Sequence, residues 1–295
     1  MKVLVAGGTG FIGRHLCGAL ADRDYEVTAC SRDPEPSLLP DGVRAEAGDV
    51  TAIESIKPLI DSHDVVVNLV ALSPLFKPRR GNEMHERVHL TGTRNVVRAM
   101  TESSCNRLVQ VSAIAADPEA STAYLRAKGK AERVVSAADV AWTIVRPTVV
   151  FGPGDEFITM TRKLTTPYLT GLPGGGRSKF QPIAISDLVG CMVQMIEEDA
   201  HVGQIYELGG PNVYTLADIT SAIYAARNQP VRILPIPMVL AWVGLTMLDP
   251  IPGIPFGRDQ YHSLSVNAVP DTNDVTAFGM SESTLTTLEE DLANR

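Results

Sequence analysis

At 295 residues the chain is long enough to bury one large core or two modest ones. Its 44% hydrophobic and 20% charged content is that of an ordinary soluble globular protein. A net charge of −8 argues against a nucleic-acid binder, which needs a basic face. Cys17, Cys30, Cys105 and Cys191 lie far apart, with no C-x-x-C pair and no metal-ligand spacing. They read as small buried thiols of a reduced, cytoplasmic chain. The chain starts directly on a strand pattern, so no signal peptide is expected.

In chain order, Lys2–Ala6, Glu26–Cys30, Val65–Leu69, Arg107–Val111 and Trp142–Val145 are short runs rich in Val, Ile and Leu. Such runs suit strands buried on both faces. Between them, helical patterns occupy Ile12–Arg23, Ile53–Ile60, Glu83–Thr101 and Ala123–Ala137. The alternation predicts an α/β fold of Rossmann type, a doubly wound parallel sheet with crossover helices. From Phe151 the rhythm loosens around Gly152-Pro153-Gly154 and Leu172-Pro173-Gly174-Gly175-Gly176. The expected division is therefore a Rossmann domain over 1–152, to which segments near 179–211 return, and a smaller lobe over 153–295. Ser186-Asp187 is the expected N-cap of a helix with Leu188, Val189, Met192, Met195 and Ile196 on its inner stripe. The Pro-rich run Pro230–Pro255 is expected to wrap the second lobe. Within it Met238–Leu248 is an apolar stretch of eleven residues, where a membrane-crossing helix needs about 20. A core helix or a lid over an apolar substrate is the favoured reading, and a surface that touches lipid or a respiratory complex is the alternative.

The loop Gly7-Gly8-Thr9-Gly10-Phe11-Ile12-Gly13 follows one strand and opens a helix. Gly7 permits the tight turn, Gly10 lets the backbone approach a pyrophosphate, and Gly13 allows the helix to pack on the strand. The helix N-terminus offers free N–H groups and a partial positive charge to phosphates, so the loop through Thr9, Phe11 and Ile12 is a dinucleotide site. No acidic residue ends the second strand. Arg32 follows it instead and suits a 2′-phosphate, which favours NADP(H) over NAD(H). The alternative leaves Arg32 in solvent and gives the ribose to Asp33. Asp49-Val50, after the third strand, could reach the adenine, and a solvated loop aspartate is the competing reading.

Tyr124 and Lys128 are four apart on a predicted helix and share one face. A nearby cation stabilises phenolate, which would lower the Tyr124 pKa and prepare it as an acid or base for hydride transfer. These features together resemble the extended and atypical short-chain dehydrogenase/reductases over nearly the whole chain. The resemblance rests on Gly7–Gly13, on Asn68-Leu69-Val70-Ala71, on Tyr124 with Lys128, and on Arg146-Pro147-Thr148-Val149-Val150-Phe151-Gly152-Pro153-Gly154. It implies that Leu69, Val70 and Ala71 line the cofactor, and that Pro147, Thr148 and Val149 pass the nicotinamide. Phe180-Gln181-Pro182-Ile183, Asp187, Glu207-Leu208-Gly209-Gly210-Pro211 and Arg258-Asp259-Gln260 are similar to the branch containing the NAD(P)H-binding accessory subunit of respiratory complex I. Two positions depart from the family. Ser112 is followed by Ala113 and Ile114, which leaves Ser112 as the only candidate for the catalytic hydroxyl. The family's helix Asn falls near His89.

His85-Glu86-Arg87-Val88-His89 matches the H-E-x-x-H zinc motif. No third ligand stands downstream with the right helical context, so the match is read as coincidence and no metal is expected. The leading functional expectation is an NAD(P)-dependent oxidoreductase acting on a small or apolar carbonyl substrate, with Tyr124 as acid or base. A non-catalytic, redox-sensing NADPH-binding protein linked to a respiratory or quinone-related complex is the alternative. A nucleotide-sugar epimerase or dehydratase ranks third, with only Arg162, Lys163, Arg177 and Lys179 available to grip a diphosphate.

Overall fold

The computed structural model describes residues 1–248, 258–263 and 266–295. The chain begins with β1 (Lys2–Ala6), α1 (Phe11–Ala21), β2 (Glu26–Ser31), β3 (Arg44–Ala47), α2 (Ile53–Asp61) and β4 (Val65–Asn68). It continues through α3 (Glu83–His85), α4 (Gly92–Thr101), β5 (Arg107–Val111), α5 (Ala123–Ser136), β6 (Ala141–Pro147), β7 (Val150–Phe151), α6 (Glu156–Leu164) and β8 (Tyr168–Pro173). Then come β9 (Lys179–Phe180), β10 (Ile183–Ala184), α7 (Ile185–Glu197), β11 (Gln204–Leu208), β12 (Tyr214–Thr215), α8 (Leu216–Ala225), β13 (Val231–Ile236), α9 (Met238–Leu248), α10 (Arg258–Ser263) and α11 (Leu288–Ala293).

The main sheet has seven strands in the order β11-β6-β5-β4-β1-β2-β3, and those from β6 to β3 pair in parallel. β1 lies between β2 and β4, so successive crossovers leave it in opposite directions. The connections diverge there and open a crevice beyond the carboxyl ends of β1 and β4, where this fold class binds ligands. Val3 to Ala6, Val65 to Val67, Leu108, Val109, Ile144 and Val145 are all buried, as the apolar runs require. β3 escaped the apolar pattern because Arg44-Ala45-Glu46-Ala47 forms a mostly exposed edge. It is held by backbone pairing from Thr28↔Arg44 to Ser31↔Ala47.

The helix expected over Glu83–Thr101 is interrupted. A π-helical stretch, Glu86–Thr91, separates α3 from α4. Such widened turns are rare and concentrate at functional sites.

The chain divides into one unit of residues 1–72, 82–146 and 188–206 and another of 73–81, 147–187 and 207–295. The division expected at 152 thus falls at 147. Thr148 accounts for this, because its N–H donates to the Leu208 carbonyl at 2.9 Å, while β7 pairs with β10. Of the 179–211 segment, only 188–206 belongs to the first unit. The second unit has its own core of Phe151, Ile158, Ala184, Ile219, Ile223 and Leu288.

Two further expectations change. Ser186-Asp187 is not an N-cap, since α7 already begins at Ile185 and Asp187 instead accepts the Thr286 N–H at 2.8 Å. Its stripe from Leu188 to Ile196 is buried as expected. Met238–Leu248 is helical but is not a core helix, because Val239 is 69%, Leu240 61% and Trp242 49% exposed. Among the described residues no helix is long and apolar enough to cross a membrane. Residues 249–255 of the Pro-rich run lie outside the described residues.

α1 packs against the end of β1 through Gly13. A Cβ there would overlap the Gly7 carbonyl oxygen and stand 2.6 Å from Gly8 Cα, both of them backbone atoms that cannot swing away. Gly13→Ala is therefore expected to lower the unfolding free energy by about 1–3 kcal/mol, the usual range for overpacking. Chemical denaturation checks this, and an unchanged midpoint would contradict the packing role.

Candidate functional site

The glycine loop has the geometry its sequence implies. Gly7 adopts φ +85°, which only glycine accepts freely, and its N–H donates to the Cys30 carbonyl at 2.8 Å. A Cβ on Gly7 would lie 3.1 Å from the Leu69 carbonyl carbon, so this loop and the end of β4 form the two walls of the crevice. Gly8 was not among the expected contacts. It is buried against β2, where a Cβ would sit 2.7 Å from Ala29 Cα. α1 has exposed Gly10 at its N-cap, no side-chain cap and no acidic residue in its first turn. The N–H groups of Phe11, Ile12 and Gly13 thus have no carbonyl four residues back within the helix, an arrangement that fits a phosphate.

At the end of β2, Arg32 is exposed, and among the described residues it has no acidic partner. Beside it the Ser31 hydroxyl oxygen is buried without a hydrogen-bond partner. Ser31 was overlooked by sequence reasoning, although it adjoins the chosen arginine. Asp49 closes the turn before α2 by accepting the Thr51 N–H at 2.8 Å. The Val50 side chain is in the core, and its carbonyl accepts from the Asn95 amide at 2.9 Å. At the end of β4, Leu69 and Val70 are half-buried and Ala71 is exposed. Pro147, Thr148 and Val149 belong to the second unit. There the Thr148 hydroxyl donates to the Gln181 carbonyl at 2.6 Å, and the Val149 carbonyl accepts the Ile183 N–H at 2.9 Å.

Lys128 reaches the end of β5 beside Ser112, while Tyr124, one turn earlier on α5, meets the rings of His85 and His89. Thr122 caps α5 by accepting the Leu125 N–H, which orients the first turn carrying Tyr124. Lys128 is buried, and its Nζ donates to the Val111 carbonyl at 2.9 Å. That carbonyl also accepts from Gln110 Nε2 at 3.1 Å. The network runs on, since Asn68 Nδ2 donates to Gln110 Oε1 at 2.9 Å and lies 3.4 Å from Thr93 Oγ1. One turn along α5, Glu132 forms a two-point ion pair with Arg146, with contacts of 2.9 and 2.6 Å. The Ser112 hydroxyl is buried with no partner, although its N–H donates to the Val145 carbonyl at 2.7 Å. An orphaned buried hydroxyl is costly and suits a ligand contact.

The electrostatics reverse one expectation. Burial pushes the Tyr124 phenol up to about 12, and no cation offsets it, because Lys128 turns to the strand carbonyl. Burial likewise brings the Lys128 ammonium down to about 8, with Glu132 opposing. Tyr124 therefore keeps its proton at neutral pH.

Both histidines of the H-E-x-x-H match also belong to this cluster. Their rings stack at 5.6 Å, and each meets Tyr124 edge-on, His85 at 5.8 Å and His89 at 5.3 Å. His89 Nε2 lies 3.4 Å from the Leu72 N–H nitrogen and 3.5 Å from His85 Nδ1. Burial, then Lys128 and His85, hold His89 well below the usual histidine range, so it is neutral. Glu86, which a zinc peptidase would need as its base, is exposed and ion-pairs with Lys130 at 2.5 Å. The role of the pair as a wall for Tyr124 was invisible in the motif, since it depends on a contact between two helices.

A family model described as NAD(P)H-binding matches residues 7–166, more than half of the chain. The chain belongs to this family and, more widely, to the extended short-chain dehydrogenase/reductases with their NAD(P)-binding Rossmann fold. It is 31% identical over 78% of its length to the NADH-ubiquinone oxidoreductase 40 kDa subunit, mitochondrial, of Neurospora crassa, and spans 63% of that protein. It is 30% identical over 68% of its length to the 3-diazoavenalumate denitrifying reductase of a Streptomyces species, covering 73% of it. Among solved structures, the UDP-glucose 4-epimerase of Thermus thermophilus in complex with NAD matches with a TM-score of 0.74 at 18% identity. That match covers 99% of this chain and 97% of the other, a likeness of fold.

The Lys128 shift has a thermodynamic consequence. A lysine whose pKa falls from 10.5 unfolded to about 8 folded binds fewer protons in the native state between those values. Its contribution to stability therefore rises with pH across that window. Buried Cys17, Cys30 and Cys105 titrate above their usual values and oppose this slope, so the readout is a difference. Stability of the parent minus that of Lys128→Met is expected to rise by up to about 3 kcal/mol between pH 8 and 10.5. Denaturant titrations at several pH values measure it, and a flat difference would place Lys128 in water.

Proposed function

We propose that this protein is an NADPH-dependent oxidoreductase that reduces a small or apolar carbonyl compound, with Tyr124 as proton donor. The observation that carries the reading is a phenol that keeps its proton at neutral pH, beside a buried lysine and an unpartnered Ser112 hydroxyl. Bound NADPH supplies the hydride. Tyr124 gives its hydroxyl proton to the carbonyl oxygen as the alkoxide forms, and the unpartnered Ser112 hydroxyl donates a hydrogen bond to the same oxygen. The Tyr124 phenolate that results is reprotonated from water, and Lys128, one turn along α5, stays in the charged form that Glu132 favours. A Tyr124→Phe variant is expected to lose essentially all turnover while NADPH affinity changes less than about twofold, since a lost acid typically costs 10²–10⁴-fold in rate. Retained turnover would remove Tyr124 from the chemistry.

The preference for NADPH rests on Arg32, exposed and without an acidic partner among the described residues, and on the adjacent buried Ser31 hydroxyl. Arg32→Ala is expected to weaken NADPH at least about tenfold and NADH little, the usual scale for a lost charge-assisted hydrogen bond. Equal losses in calorimetric titrations would overturn the assignment.

A second reading is favoured by the similarity to the Neurospora crassa subunit. Here the protein holds NADPH without turning it over and contacts a respiratory complex or membrane surface through residues 238–248. Absence of reduction across a carbonyl and quinone panel, together with NADPH released on denaturation, would select this reading over the first.

A further inference from the structure

The charge of this chain is distributed unevenly. Residues 157–186 and 219–248 contain Arg162, Lys163, Arg177, Lys179, Arg227 and Arg232 and no Asp or Glu, in a chain whose net charge is −8. All six cations are exposed, and among the described residues none pairs with an acid. The same two segments hold nine of the thirteen large apolar side chains that stand exposed among the described residues. Cations and apolar side chains therefore share one region of the second unit while the rest of the chain is acidic.

These features are continuous along the fold. α6 ends in Arg162, Lys163 and an exposed Leu164, then the chain turns into β8. β8 and β13 pair with Leu169 opposite Arg232, so the exposed leucine and the arginine are direct cross-strand neighbours on one face. Two residues on, Leu234 is also exposed on that face, and β13 leads through Pro237 into α9. α9 is apolar on every side yet carries Leu240 and Trp242 in solvent. Monomeric proteins seldom leave such a patch uncovered. An eleven-residue helix is about 17 Å long and cannot cross a hydrocarbon core of about 30 Å, but it can lie within its boundary.

We propose that the face formed by the end of α6, β8, β13 and α9 docks on the surface of an anionic phospholipid bilayer. Leu240 and Trp242 enter the acyl boundary while Arg162, Lys163 and Arg232 meet the lipid phosphates. Charge complementarity selects this occupant, because a second copy of an acidic chain would bring the same cations face to face. The inference deepens the contact part of the second reading above and is independent of the hydride chemistry, as its readout involves no turnover.

The test is flotation of the full chain with vesicles of phosphatidylcholine alone and of phosphatidylcholine mixed with phosphatidylglycerol. Binding is expected to the mixed vesicles only and to be lost at about 1 M salt, where charges are screened within about 3 Å. The triple change Arg162→Gln, Lys163→Gln, Arg232→Gln is expected to weaken binding about a hundredfold, at about fivefold per cation. Leu240→Ser with Trp242→Ser is expected to abolish it even at low salt, with NADPH affinity retained as proof of folding. In a Trp142→Phe background, Trp242 fluorescence is expected to shift to the blue on adding mixed vesicles, a readout that leaves the docking face unaltered. No binding, equal binding to both vesicle types, or self-association that the Leu240→Ser, Trp242→Ser pair dissolves would each overturn the proposal. Absence of vesicle binding by the unmodified chain with NADPH affinity intact counts against the bilayer alone. Loss of NADPH affinity in the unmodified chain counts against the cofactor reading instead.

Discussion

Bare backbone meets bare backbone where α1 rises from the end of β1, and the crevice of the first unit depends on that contact. Gly8 lies against Ala29 of β2, and Gly13 lies against Gly7, with no room for a methyl group at either position. This closeness brings the uncapped end of α1 to the carboxyl ends of the paired strands β1 and β4, where the connections diverge. Without it, the free N–H groups would point over the sheet and not into the crevice. The parallel sheet supplies the other half of the constraint. Strands buried on both faces force every connection to cross over, and the change of crossover direction at β1 creates the opening.

Around the end of β5 a second constraint operates, the cost of keeping an ammonium group away from water. Lys128 meets it with one hydrogen bond to the Val111 carbonyl and with the nearby charge of Glu132, itself held by Arg146. The consequence reaches Tyr124. With Lys128 turned toward the strand, desolvation governs the phenol and the proton stays on it. The rings of His85 and of neutral His89 complete the wall, so this environment suits a donor better than a base. The cluster is built from α3, the π-helical stretch, α5 and β5 together, and its properties belong to no single motif.

The second unit presents a different kind of surface. Its small paired strands leave β8 and β13 with one open face, and α9 follows with apolar side chains in solvent. An apolar stretch in sequence reads as core because most such stretches are. Here the sheet that leads into it is only two strands wide, and the helix keeps Val239, Leu240 and Trp242 exposed.

Much of the first unit was legible because short-range rules govern it. Apolar runs located the central strands within a residue or two, the glycine spacing located the phosphate loop, and the four-residue interval placed Tyr124 and Lys128 on one helix. The bounds of edge strand β3 were not legible, since its polar residues are held by backbone pairing that leaves no apolar pattern. The family resemblance was readable for the same reason as the loop, because its motifs mark backbone requirements that few residues satisfy. Only the tertiary structure decided where Lys128 directs its ammonium, that His85 and His89 wall the tyrosine, and that Val239, Leu240 and Trp242 stay in solvent. Each of these depends on which side chains from distant segments share a volume. Hydrogen bonding, desolvation and exposure are set by that shared volume, and no local spacing encodes it.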